Sequence, residues 1–193
     1  MAIFCTEAER HQYEETGYWR ALPEMVPSVT FQTRELNPIT DKFEWVVTNT
    51  WELFAGRRVL MFSLPGAFTP TCSTYQLPSF EQMAEELRNE GIQDILCMTV
   101  NDAFVCNAWA KANNLEEVQV IPDGSGKFTE AMNMMVDKDN LGFGRRSWRY
   151  ACIVDNGTIE HWFIEEGRED NCPRDPYMFT DPAYILNKLR EGN

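Results

Sequence analysis

The apolar run Val59-Leu60-Met61-Phe62-Ser63 gives way to Pro65-Gly66-Ala67-Phe68-Thr69-Pro70-Thr71-Cys72, after which Leu77, Phe80, Met83, Ala84 and Leu87 recur at helical spacing. A buried strand, a tight loop and a helix must follow one another, with a cysteine in the first helical turn. With Pro70 at the first helical position, Thr69 becomes the N-cap and Cys72 the third helical residue. Unpaired backbone N–H groups and the positive end of the helix dipole then surround the sulfur, and a lowered thiol pKa is expected.

The remaining pattern continues the alternation. Strand signals fall at residues 28–34 and 43–48, ahead of the strand that leads to Cys72. The short apolar run 95–100 suits a buried parallel strand, and Asp102 is placed to cap a helix bearing Phe104, Val105, Ala108 and Trp109. Residues 118–121 read as strand, Pro122-Asp123-Gly124 as a turn and 128–135 as helix. Two further strands, 150–155 and 158–164, flank Asn156-Gly157, a pair preferred in tight β-hairpins, and 181–190 closes the chain as helix. The expected fold class is α/β, a sheet with helices on both faces. Residues 26–193 are expected to form one globular domain, and residues 1–25 an N-terminal extension in which glutamates alternate with Tyr13, Tyr18 and Trp19. That extension reads either as an amphipathic helix on the body or on a second subunit, or as a frayed acidic tail.

Charge and cysteine usage narrow the function. A formal net charge of −13 argues against nucleic acid and anionic membranes, which need clustered Lys and Arg. No apolar stretch approaches the roughly 20 residues of a membrane span, and the N-terminus resembles neither a signal nor a transit peptide, so a cytoplasmic location is expected. Cys5, Cys72, Cys97, Cys106, Cys152 and Cys172 show no paired spacing and no Cys-x-x-Cys, which fits reduced thiols. His11 and His161 are the only histidines, so neither a metal nor another cofactor is expected, and Cys72 must draw its activation from backbone dipoles and arginine. Other motifs fail on spacing: Ile121 replaces the first glycine of a phosphate loop ending at Gly126-Lys127, Trp148 replaces the closing glutamate of a calcium loop, and Ser147 the last glycine of a dinucleotide fingerprint.

The segment PGAFTPTC resembles the Pro-x-x-x-Thr-x-x-Cys signature of the peroxiredoxins, in wording similar to the type II or peroxiredoxin 5 branch. The resemblance continues through ILCMTVNDAFVCNAW, IPDGSGKFTE and LGFGRRSWRY; the last two blocks are similar to the peroxiredoxin portion of bacterial peroxiredoxin-glutaredoxin fusions. It implies a thioredoxin-like fold with a central mixed sheet flanked by helices, a thiol-dependent peroxidase, and a homodimer with contacts near the active end. Carried onto this chain, Cys72 attacks the peroxide, Thr69 supplies a hydroxyl, Pro65 lines the pocket, and Arg149 of Arg149-Tyr150-Ala151 supplies the guanidinium. Arg146 reads either as a pocket residue or as surface charge. The implied reaction is reduction of hydrogen peroxide or alkyl hydroperoxides, leaving a sulfenic acid on Cys72. The family usually has histidine before the Leu-Pro pair where this chain has Gln76, and Pro78 is expected to kink the helix one turn past Cys72.

Recycling has several readings. The spacing from Cys72 to Cys97 resembles that of plant type II peroxiredoxins, whose second cysteine stands there, although the apolar neighbours of Cys97 suit an inert core thiol. Cys172 resembles in rough position the resolving cysteine of animal peroxiredoxin 5, on a loop expected at the same end as Cys72 and stiffened and charged by Pro173, Asp175 and Pro176. The remaining reading is an external thiol, either glutathione with glutaredoxin or thioredoxin. A separate class of function is a non-catalytic redox sensor that passes oxidation to a partner protein through a mixed disulfide.

Overall fold

The computed structural model describes residues 21–192. The segment containing Cys5, Tyr13, Tyr18 and Trp19 lies outside the described residues. The chain first forms an antiparallel hairpin, β1 (Thr30–Asn37) and β2 (Lys42–Asn49), followed by a short helix α1 (Thr50–Phe54) opened by a capping box between Asn49 and Glu52. A five-stranded sheet lies at the centre. Its strands are β3 (Arg58–Ser63), β4 (Asp94–Thr99), β5 (Val118–Pro122), β8 (Tyr150–Asp155) and β9 (Thr158–Ile164), in the order β5-β4-β3-β8-β9. β3, β4 and β5 run parallel, while β8 and β9 pair antiparallel, which makes the sheet mixed, as the family resemblance implies.

Alternation along each strand divides the core into two layers. Leu60, Phe62, Ile95, Cys97, Ala151 and Ile153 face one side. There they meet Leu77 and Phe80 of α2 (Leu77–Gln82), Ala84 and Leu87 of α3 (Ala84–Asn89), Trp109 of α4 (Ala103–Ala112) and Ile185 of α6 (Pro182–Glu191). The Phe62 and Phe80 rings stack with centroids 3.9 Å apart. On the opposite side Met61, Leu96, Met98, Cys152 and Val154 pack with Phe31, Phe54, Trp148 and Phe128 of α5 (Lys127–Ala131).

Several local expectations are met. Asp102 caps α4 by accepting from the Phe104 and Val105 N–H groups, and Asn156 and Gly157 turn the β8–β9 hairpin with positive φ. The expected helix at 128–135 is shorter: it ends at Ala131, and Met135 begins a two-stranded ribbon of β6 (Met135–Asp137) and β7 (Arg145–Ser147). Asn133, at φ 58°, turns the chain out of the helix, and Met134 and Val136 then pack into the second core layer. Glu24 and Met25 lie along β9, where the Ile159 N–H donates to Glu24 and Met25 bridges Thr158.

Candidate active site

β3 delivers the chain into the loop at Pro65 and Gly66, both buried, and a helix starts at Pro70. Phe68 sits in this loop with φ 61°, a conformation that is strained for a bulky L-residue. Neighbouring bonds hold it there. The Ala67 N–H donates to Asn101 Oδ1 at 3.0 Å, and the Thr69 hydroxyl donates to the Gly66 carbonyl at 2.8 Å. Thr69 therefore does not cap the helix through its side chain; its carbonyl accepts from the Ser73 N–H. Its hydroxyl oxygen keeps its lone pairs for a further donor.

Cys72 opens a π-helical turn, Cys72–Gln76, in which the Leu77 N–H reaches back to the Cys72 carbonyl. The irregularity expected one turn past Cys72 thus falls immediately at the cysteine. Pro78 stands within the first two residues of α2 and has no N–H to donate, which favours the widened turn before it. Trp109 Nε1 donates to Ser73 Oγ at 2.9 Å and fastens this turn to α4.

Arg149, at the head of β8, comes to the same place from the strand that neighbours β3. Its Nη1 lies 3.5 Å from Cys72 Sγ and also donates to Gln76 Oε1, while Nη2 donates to Asp175 at 2.5 Å. The arginine is 1% exposed. Burial by itself lowers its hold on a proton, but a Cys72 thiolate and the Asp175 carboxylate more than offset this, and its pKa lies above the ordinary value. Arg149 Nε and Gln76 Nε2 are buried without a hydrogen-bond partner among the described residues. Arg146 is half-buried: Nε donates to the Phe143 carbonyl, Nη1 approaches the carbonyls of Pro65 and Val100, and burial pulls its pKa down against the attraction of Cys72.

The structure thus brings together Cys72, Arg149, Arg146 and the Pro65-to-Thr69 loop. The other described cysteines are free and buried. Cys97 shares the sheet face of Cys72, and burial foremost, with Cys106 and Cys72 nearby, raises its pKa well above the ordinary thiol value. Cys172 belongs to the opposite core layer and is 2% exposed, although its loop does arrive at the end where Arg149 lies. Asn101 and Asp175 escape sequence reasoning as contacts of the site. Asn101 carries no motif beyond its place before a helix cap, and Asp175 lies in a loop without periodicity.

The Redoxin family profile matches residues 43–176. Peroxiredoxin y4vD of Sinorhizobium fredii is 54% identical over 168 residues, covering 86% of this chain and 89% of that protein. Hybrid peroxiredoxin hyPrx5 of Haemophilus influenzae is 48% identical over 85% of this chain and 64% of its own length. The solved structure of the Plasmodium falciparum antioxidant protein, a 1-Cys peroxiredoxin, superposes with a TM-score of 0.82 at 32% identity, covering 86% of this chain and 98% of that one. With its strand-loop-cysteine unit inside a fold and a sequence shared so widely with these proteins, the chain belongs to the peroxiredoxin family and is a thiol-dependent peroxidase.

Proposed function

We propose that Cys72 reduces hydrogen peroxide and alkyl hydroperoxides as a thiolate. Its sulfur attacks one peroxide oxygen in line, the O–O bond breaks, and the other oxygen leaves with the bonding pair and takes a proton as water or alcohol. A sulfenic acid remains on Cys72. The observation that carries this reading is the 3.5 Å approach of the buried Arg149 guanidinium to the sulfur. In a water-poor site a fixed cation stabilises both the thiolate and the charge that grows on the departing oxygen. The unpartnered donors Arg149 Nε and Gln76 Nε2 suit the peroxide oxygens, and the Thr69 hydroxyl oxygen suits the peroxide proton.

Turnover is completed by an external thiol, glutathione with glutaredoxin or another small dithiol protein. The first thiol condenses with the sulfenic acid, releasing water and leaving a mixed disulfide, which a second thiol reduces. The burial of Cys97 and Cys172 supports this choice. A second reading draws on the hydrophobic cluster shared by Cys72 and Cys97: unwinding of the π turn would let these two form a disulfide. Phe68 and Tyr75, 57% and 60% exposed on either side of Cys72 in sequence, support a homodimer joined near the active end. A cytoplasmic setting fits the free thiols.

Stopped-flow mixing of reduced protein with equimolar hydrogen peroxide tests the reaction. Millisecond oxidation at micromolar peroxide is expected, and its loss in Cys72→Ser; oxidation over seconds would instead mark a sensor. Steady-state turnover with glutathione and glutaredoxin, compared with thioredoxin, tests recycling. Persistence with glutathione in Cys97→Ser and Cys172→Ser supports the external thiol, whereas loss of thioredoxin-driven turnover in only one of them identifies a resolving cysteine.

A further inference from the structure

The loop between β9 and α6 is built to hold a carboxylate against Arg149. Glu165, which follows β9, is 2% exposed, and its Oε1 accepts from the Met178 N–H, the Thr180 N–H and the Thr180 hydroxyl, each at 2.8 Å. The Glu165 N–H in turn donates to the Arg149 carbonyl at 3.2 Å. At the other end of the loop, the Asn171 N–H donates to the Asp137 carbonyl at 2.7 Å and Asn171 Oδ1 accepts from the Asn140 N–H at 3.0 Å. Between these anchors Pro173 and Pro176 restrict the backbone on both sides of Asp175. The Tyr177 ring, two residues after Asp175, lies 5.8 Å from Arg149 Cζ.

We infer that Asp175 is a positioning residue for the peroxidase reaction: its bond to Arg149 Nη2 fixes the plane of the guanidinium so that Nη1 meets the Cys72 sulfur, and its charge moderates the pull of that cation on the thiolate. The inference rests on the reading of Cys72 as the attacking thiolate. A guanidinium presents its N–H groups in one rigid plane, so anchoring one nitrogen aims the other. Among the described residues Asp175 is the acceptor for Nη2; without it the guanidinium is held only through Nη1, by Gln76 and the Cys72 sulfur, and its plane can turn about that nitrogen. The second effect is electrostatic. Asp175 is a negative charge one guanidinium away from the sulfur, so it disfavours the thiolate relative to an unneutralised arginine. Among the described residues, the charged and titratable groups that face this cluster are Arg149, Arg146 and Cys97 around the sulfur, Asp175 and Tyr177 at the guanidinium, and Asp181 beside Tyr177.

Asp175→Asn keeps an oxygen for Nη2 and removes the charge; Asp175→Ala removes both. Two quantities are measured on full-length reduced protein whose circular dichroism matches wild type. One is the rate constant for hydrogen peroxide on the alkaline plateau of the pH profile; the other is the Cys72 ionisation midpoint, from thiolate absorbance corrected with Cys72→Ser. On the plateau, where Cys72 is ionised in every variant, Asp175→Ala is expected to fall at least tenfold, and Asp175→Asn to retain at least threefold more activity than Asp175→Ala. The midpoint in Asp175→Asn is expected below that of wild type, a shift that mere loosening of the loop would not produce. An Asp175→Ala plateau within twofold of wild type, or an Asp175→Asn midpoint at or above the wild-type one, overturns the inference while leaving the peroxidase reading intact. Wild-type consumption that survives Cys72→Ser overturns both.

Discussion

Cys72 and Arg149 meet at one end of the central sheet: the cysteine enters on the helix that follows β3, the arginine immediately before the strand that pairs antiparallel with β3, and sulfur and guanidinium nitrogen stand 3.5 Å apart. Ser63 pairs with Tyr150 in that ladder, so the last residue of one strand lies beside the first of the other. Replacing Arg149 by Gln or Met should lower the peroxide rate constant by about 10²–10³, the usual effect of losing one preorganised donor. Arg149→Lys should recover only part of it, because an ammonium cannot serve sulfur, Gln76 and Asp175 at once. Single-turnover stopped flow distinguishes Arg149→Lys from the two neutral variants.

Asn101 should prove to be a structural clamp on the reactive loop. Its Oδ1 accepts from the Ala67 N–H and from the Thr99 hydroxyl, beside a Phe68 held at positive φ. Asn101→Ala removes the partner of a part-buried N–H, and a loss of about 1–3 kcal/mol in urea unfolding is expected. The peroxide rate constant should fall with it, since the loop that carries Thr69 loses a fixed point.

Gly66 can take a side chain only if Arg146 moves. A Cβ there would stand 2.6 Å from Arg146 Nη1, forcing a half-buried arginine away from the Pro65 and Val100 carbonyls. Gly66→Ala should therefore lower the thermal midpoint and slow peroxide reduction; Gly66→Ala combined with Arg146→Ala should regain stability relative to Gly66→Ala alone. A double-mutant cycle measures that coupling.

The buried thiols predict an alkaline limit to stability. Burial raises Cys106 from 9.0 to about 12, with Asp102 adding to it, and burial likewise raises Cys97 and Cys152. At neutral pH these thiols are protonated in both native and unfolded chains and contribute no pH dependence. As pH rises from about 9 to about 12, the unfolded chain releases protons that the native state retains, so stability falls, by up to about 1.4 kcal/mol per pH unit for each thiol. Urea melts at successive pH values should show this decline beginning near 9. Below that pH, iodoacetamide should spare Cys97, Cys106 and Cys152 until the chain unfolds.

The local units of the chain were legible in its sequence. The strand, loop and helix around Cys72, the Asp102 cap and the Asn156-Gly157 hairpin each arise from contacts within a few residues, and their patterns record those contacts directly. Arg149 was singled out only through the family resemblance at Arg149-Tyr150-Ala151, since nothing in the local pattern separates it from Arg145 and Arg146. Tertiary packing alone decided the rest. It drew Met134 and Val136 into the core where a helix was expected to run on to Met135, turned the sulfur of Cys172 into the opposite core layer, and placed the Asp175 carboxylate on the arginine. Periodicity tells which face of an element is buried but not what lies against it, and a loop tied down by Glu165 and Asn171 has no period from which its destination can be read.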